Sequence, residues 1–168
     1  MSSDIILGLG DDQLASQYQV IFPEGIPGGG NGERISLRMD ADLDLPEDTV
    51  ETYDISFKGM KITQTSMTHG MDKKITLTVR LDQQWKVFDD LQKWYKMCYD
   101  PLTATAMPDL ATRTNILIQT NDASQKIVKT IRLKNAKITS LKIGTFDHTS
   151  SDPIKLTLNF IFSDMIVE

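Results

Sequence analysis

Residues 74–82 constrain this chain more than any other stretch. Ile75, Leu77, Val79 and Leu81 alternate there with Lys74, Thr76, Thr78, Arg80 and Asp82. Successive strand side chains point to opposite faces, so a period of two over this length predicts a strand with one buried and one wet face. The pattern returns near the C-terminus, where Ile154, Leu156, Leu158, Phe160 and Phe162 alternate with Lys155, Thr157, Asn159 and Ser163. Residues 35–42 show it again: Ile35, Leu37, Met39 and Ala41 against Ser36, Arg38, Asp40 and Asp42 predict a third half-buried strand.

Other extended segments read as strands on composition. Residues 17–22 are aromatic and β-branched, and Tyr53, Ile55 and Phe57 alternate ahead of Gly59, followed by residues 60–65. Residues 115–120, 126–134 and 136–143 complete the set, while 66–72 reads as a loop. The period changes once. Trp85, Phe88, Leu91, Tyr95 and Cys98 recur at spacings of three and four, which predicts a helix over 85–99. Asp82 or a neighbouring glutamine is placed to serve its N-terminus, and Pro101 stops it.

Strands, one helix, then strands, without a βαβ rhythm, predict a mainly β fold. The expected architecture is an antiparallel β-sandwich or barrel with one external α-helix and extended arms for subunit contacts. At 168 residues the chain is expected to form a single domain. Its parts are an N-terminal arm at 1–16, an extended arm at 43–72 and the helix at 85–99.

Little catalytic equipment is present. Cys98 is the single cysteine, which excludes an intrachain disulfide and a cysteine-based zinc site. The two histidines, His69 and His148, have no serine or cysteine partner in a recognisable motif. Gly28–Gly30, Asn31 and Gly32 resemble a phosphate loop only in glycine content: no Gly-Lys-Ser/Thr ending follows, and a strand is expected next instead of a helix. That segment is expected to be a flexible hairpin connection. Met67, Thr68, His69, Gly70 and Met71 hold soft donors for copper, although methionines beside a loop more often make adaptable contacts. No stretch reaches the roughly 18 apolar residues that cross a bilayer, and no secretory signal is expected at the start.

Charge is unevenly distributed. The net charge is −5, yet the seven acids Asp40, Asp42, Asp44, Glu47, Asp48, Glu51 and Asp54 follow one another without a basic residue. Outside that run, 16 acids stand against 18 bases. A block of six bases from Lys126 to Lys142 contains no acid and no aromatic residue, so it lacks the stacking groups of a nucleic-acid site. Opposite blocks in one chain are what a self-associating subunit uses to orient its neighbour.

The order of these features resembles the tail tube proteins of contractile-tailed bacteriophages and, more distantly, the tube proteins of related injection machines. The resemblance runs through nearly the whole chain. It starts with Tyr18-Gln19-Val20-Ile21-Phe22 after a short arm, then takes in the strand at 35–43 and the Leu45-Pro46 break. An extended arm through Gly59, the strand at 75–82, the helix at 85–99 with Phe88 and Trp94, and the late strands at 156–162 follow.

The resemblance implies a structural subunit without enzymatic activity, cofactor or metal. It implies six-fold rings stacked into a hollow tube, with sheath, baseplate and terminator proteins as partners, transient passage of DNA and no membrane contact. Such a protein is made in the host bacterial cytoplasm and ends in the virion tail. By position, subunit contacts would fall on Asp44, Leu45, Pro46, Glu47, Tyr53, Ile55, Phe57, Met60, Met67 and Met71. Ser36, Asp40, Asp42, Thr76, Thr78, Thr157 and Asn159 have the polar character of a lumen lining. A baseplate tube-initiator or a secretion-system tube subunit is a near alternative; a monomeric β-barrel binding module is one of a different class.

Overall fold

The computed structural model describes residues 13, 17–40 and 43–168, without the side chains of Asp40, Met67, Thr68 and His69. The proposed N-terminal arm lies, apart from Gln13, outside the described residues, as does Asp42. Nine strands are described: β1 (Tyr18–Ile21), β2 (Met39–Asp40), β3 (Asp48–Phe57), β4 (Met60–Met71), β5 (Lys74–Arg80), β6 (Thr114–Asn121), β7 (Ile127–Ile143), β8 (Lys155–Ile161) and β9 (Asp164–Val167). Helices α1 (Gly32–Leu37) and α2 (Lys86–Cys98) and a 3₁₀ turn (Asp109–Thr112) complete the order.

Seven strands form one antiparallel sheet in the order β1-β6-β7-β8-β5-β2, with β9 also paired to β7; β3 and β4 form a separate two-stranded ribbon. The fold is thus mainly β and antiparallel, with one main helix, as the alternation predicted. The 17-residue β7 is its spine. Its first half pairs with β6, and its second half pairs with β8. Between the halves Asn135 takes φ 54°, and register shifts sit on both sides of it, so the strand turns a corner while staying paired.

The expected alternation holds in β5 and β8. Ile75, Leu77, Val79, Leu156, Leu158 and Phe160 are buried, while the residues between them face outward. Helix α2 closes the core with Val87, Leu91 and Trp94, all fully buried. The buried stripe is therefore rotated from the expected one: Leu91 is common to both, whereas Phe88, Tyr95 and Cys98 are only partly buried against the core. Trp94 meets Phe22 edge-on at 6.3 Å and Phe160 at 5.4 Å, and its indole N–H donates to the Thr112 carbonyl at 2.7 Å. Asp82 serves the helix start, its carboxylate accepting from the Lys86 and Val87 N–H groups at 3.3 and 3.4 Å.

Three local expectations are corrected. Residues 32–37 are a helix, and among the described residues of the expected third strand Met39–Asp40 pair with β5. The Asn31 side chain accepts from the Arg34 N–H at 3.2 Å and caps that helix. Ile35 alone enters the core, Leu37 is exposed and Ser36 donates back to the Gly32 carbonyl, so Ser36 is not on a strand face. The glycine run does not join two strands: an antiparallel bridge between Ile26 and Gly30 closes it and helix α1 follows, and a Cβ on Gly30 would strike the Ile26 side chain. Residues 66–71 belong to β4 instead of a loop, because the partner strand β3 continues beside them.

Candidate assembly surfaces

The β3–β4 ribbon is held by backbone pairing over most of its length. Lys58 and Gly59 form its two-residue turn, at φ 48° and 77°. Two positive φ values are the type I′ geometry that matches the twist of a hairpin. This turn fixes the register, placing Tyr53 opposite Gln64, Ile55 opposite Ile62 and Phe57 opposite Met60. Period two then sorts the side chains. One face carries Tyr53, Ile55, Phe57, Met60 and Ile62; the other carries Asp54, Ser56, Lys61 and Thr63.

The polar face satisfies itself. Asp54 accepts from the Thr63 hydroxyl at 2.7 Å and pairs with Lys61 at 3.1 Å, and these two contacts hold its carboxyl below the usual range. The apolar face has no such cover: Phe57 is 60% exposed, Met60 63% and Ile62 46%. A two-stranded ribbon is marginal in water on its own, and a contiguous exposed apolar patch marks a surface made to be covered.

A second surface is the outward face of the four strands β2, β5, β8 and the second half of β7. Thr76 lies opposite Asn159, which lies opposite Ser140. The Thr76 hydroxyl donates to Asn159 Oδ1 at 2.7 Å and Asn159 Nδ2 donates to Ser140 Oγ at 2.6 Å, a polar ladder across three strands. Thr78 and Thr157 form the next row. Asp44, Leu45, Pro46 and Glu47 run along one side of this face and leave an open groove above it. The four-stranded sheet has two free edges among the described residues, β2 and the 137–143 half of β7.

The structure thus brings Thr76, Thr78, Thr157 and Asn159 onto one face, with Asp40 in register beside Thr78. Tyr53, Ile55, Phe57 and Met60 share the exposed ribbon face, and Asp44 and Glu47 are exposed. Leu45 and Met71 instead pack partly against the chain's own core. Sequence reading missed Ile62, legible only once the Lys58–Gly59 turn sets the register, and Ser140, hidden by the register shift between Ile138 and Ser140. Cys98, beside Lys137 and Thr112, has its thiol pushed up by burial, which favours the inert protonated form.

No protein-family model matches the chain, and no curated protein sequence matches it. Solved structures do. The cap that terminates the anti-feeding prophage tube superposes with a TM-score of 0.66 at 12% identity, covering 95% of this chain and 92% of that one. A chain of the extended sheath–tube complex of an extracellular contractile injection system gives 0.64 at 14% identity, covering 100% and 99%. The sheath/tube terminator of such a system gives 0.65 at 16% identity, covering 95% and 99%. The fold is that of tail tube and tube-terminator proteins of contractile injection systems. At these identities the likeness establishes architecture, so residue roles rest on the two surfaces above.

Proposed function

We propose that the chain is a tube subunit of a contractile tail. Six copies close into a ring by pairing the free β2 edge of one sheet with the free β7 edge of the next. The rings stack into a hollow tube inside a sheath, bounded by baseplate and terminator proteins. The observation that carries this reading is the β3–β4 ribbon, whose Tyr53, Ile55, Phe57, Met60 and Ile62 face is exposed on a single copy. The unpaired 137–143 edge of β7 adds to it, since an open strand edge is a template for pairing with another chain.

The proposed role is structural and not catalytic, and its place is the particle. The outward sheet face supplies the lumen wall. Its central rows of hydroxyls and amides, Thr76, Thr78, Thr157, Asn159 and Ser140, already bond one another in part. Such a wall gives a passing polyanion such as DNA little to hold, which suits a conduit from virion to host cell.

The test is a ribbon variant, Tyr53→Glu with Ile55→Glu and Phe57→Glu, followed by sedimentation. The native chain is expected to assemble while the variant stays monomeric with an unchanged fold. Equal assembly by both would remove the ribbon from the interface.

A further inference from the structure

Residues 101–110 are exposed without a break, and Asp109 is their one charged residue. Leu102 and Leu110 are 86% and 82% exposed, and Met107 is half exposed. The segment nevertheless has its own polar framework. The Asp100 N–H donates to the Thr105 carbonyl at 2.9 Å, the Leu102 N–H to the Asp100 carboxylate at 3.0 Å and the Met107 N–H to the Met97 carbonyl at 3.0 Å. Its end is pinned by Asp109, which pairs with Arg113 at 2.6 Å and Lys137 at 3.1 Å. A held backbone that presents leucines to water is a preorganised surface, one that binds without a large ordering cost.

The sheet register relates this segment to the ribbon. Lys137 begins the unpaired 137–143 edge, and Lys137, Ile161 and Lys74 lie in one row across β7, β8 and β5. The ribbon is rooted at the far end of that row, since β4 ends at Met71 and β5 begins at Lys74. Segment 101–110 and the ribbon root therefore sit at the same end of the strands, on opposite edges of the four-stranded sheet. β3 has ten residues, about 33 Å at ~3.3 Å each, against about 15 Å across four strands. The ribbon is thus long enough to reach past the body that carries it. Its two strands pack on each other, with no extensive contact to another element among the described residues.

We infer that the apolar ribbon face of one copy seats on Leu102, Met107 and Leu110 of the next copy in the ring. This rests on the tube reading. Pairing β2 of one copy with the 137–143 edge of its neighbour puts the ribbon root of the first beside the Asp109–Lys137 anchor of the second. The contact joins two different patches, so it is heterologous and repeats in one direction until a ring closes. The five apolar ribbon side chains are 40–63% exposed and present on the order of 500 Å². With the paired edges beside them, that approaches the ~800 Å² per partner that a stable interface buries.

The experiment compares the native full chain with Leu102→Asp and Leu110→Asp combined, by sedimentation and by urea unfolding. Both leucines are exposed on a single copy, so the urea midpoint is expected to stay at the native value. The half-assembly concentration is expected to rise roughly hundredfold, as two leucine contacts are lost from the interface. A second measurement uses Phe57→Cys with Leu110→Cys in a Cys98→Ser background, treated with a short bis-maleimide. Links between chains are expected in separate rings as well as in tubes, while either cysteine substitution alone is expected to leave single chains.

Assembly of the double leucine variant at the native concentration, while the ribbon variant stays monomeric, would overturn the inference and leave the tube reading intact. Links that form in tubes but not in separate rings would also overturn it, and would assign the ribbon to the adjacent ring. A native chain that assembles at no concentration would overturn the tube reading, and the inference with it.

Discussion

At the scale of single residues, Trp94 ties three parts of the fold together. It packs on Phe22 ahead of the glycine loop and on Phe160 of β8, and it bonds the 3₁₀ turn through Thr112. Trp94→Ala is expected to cost about 3–5 kcal/mol, read as a fall in the urea midpoint. Trp94→Phe keeps most of the ring but orphans the Thr112 carbonyl, for an expected loss of roughly 1–3 kcal/mol.

Asp109 gives a pH prediction. Hydrogen bonds from Arg113 at 2.6 Å and Lys137 at 3.1 Å hold its carboxyl below the usual range. A depressed folded pKa adds stability above the unfolded pKa, about 3.9, and that stability is lost as pH falls through the folded value. Asp109→Asn is therefore expected to flatten the fall in unfolding midpoint between about pH 5 and pH 2, while removing some stability at neutral pH.

At the scale of elements, β5 and β8 were readable because every residue in them serves one face or the other. Helix α1 was not, because six residues with Ile35 as their one core-facing apolar side chain show no helical stripe, the alternation through Ile35, Leu37 and Met39 imitates a strand, and Asn31 reads as a turn residue as readily as a cap. β9 has four residues and no alternation to speak of, and the corner in β7 reads as a break because Asn135 adopts positive φ. The ribbon was half legible: Tyr53, Ile55 and Phe57 show their shared face, but Ile62 joins them only through the register that the Lys58–Gly59 turn sets.

The ribbon also has its own stability. Gly59→Val is expected to strain the turn at φ 77°. The expected result is faster hydrogen exchange across 52–65, with a global unfolding midpoint shifted by less than about 0.5 kcal/mol.

At the scale of the whole molecule, one core is closed by α2 on the inside of the sheet, while among the described residues the outward sheet face, two strand edges and one ribbon face remain uncovered. A monomer gains nothing from such a distribution. The proposed ring would use all three, with edges paired, ribbons covered and the polar sheet face turned toward a water-filled bore. The acidic run of the sequence divides accordingly between the groove border, at Asp44 and Glu47, and the ribbon, at Asp48, Glu51 and Asp54. The basic run is likewise dispersed: Arg132 pairs with Glu168 and Lys137 with Asp109, while Lys142 joins the sheet face.

The most direct measurement is electron microscopy of the purified native chain across a concentration series. Hollow rings with six-fold end views, stacking into tubes as concentration rises, are the predicted result. A strictly monomeric, folded protein at every concentration would contradict the account.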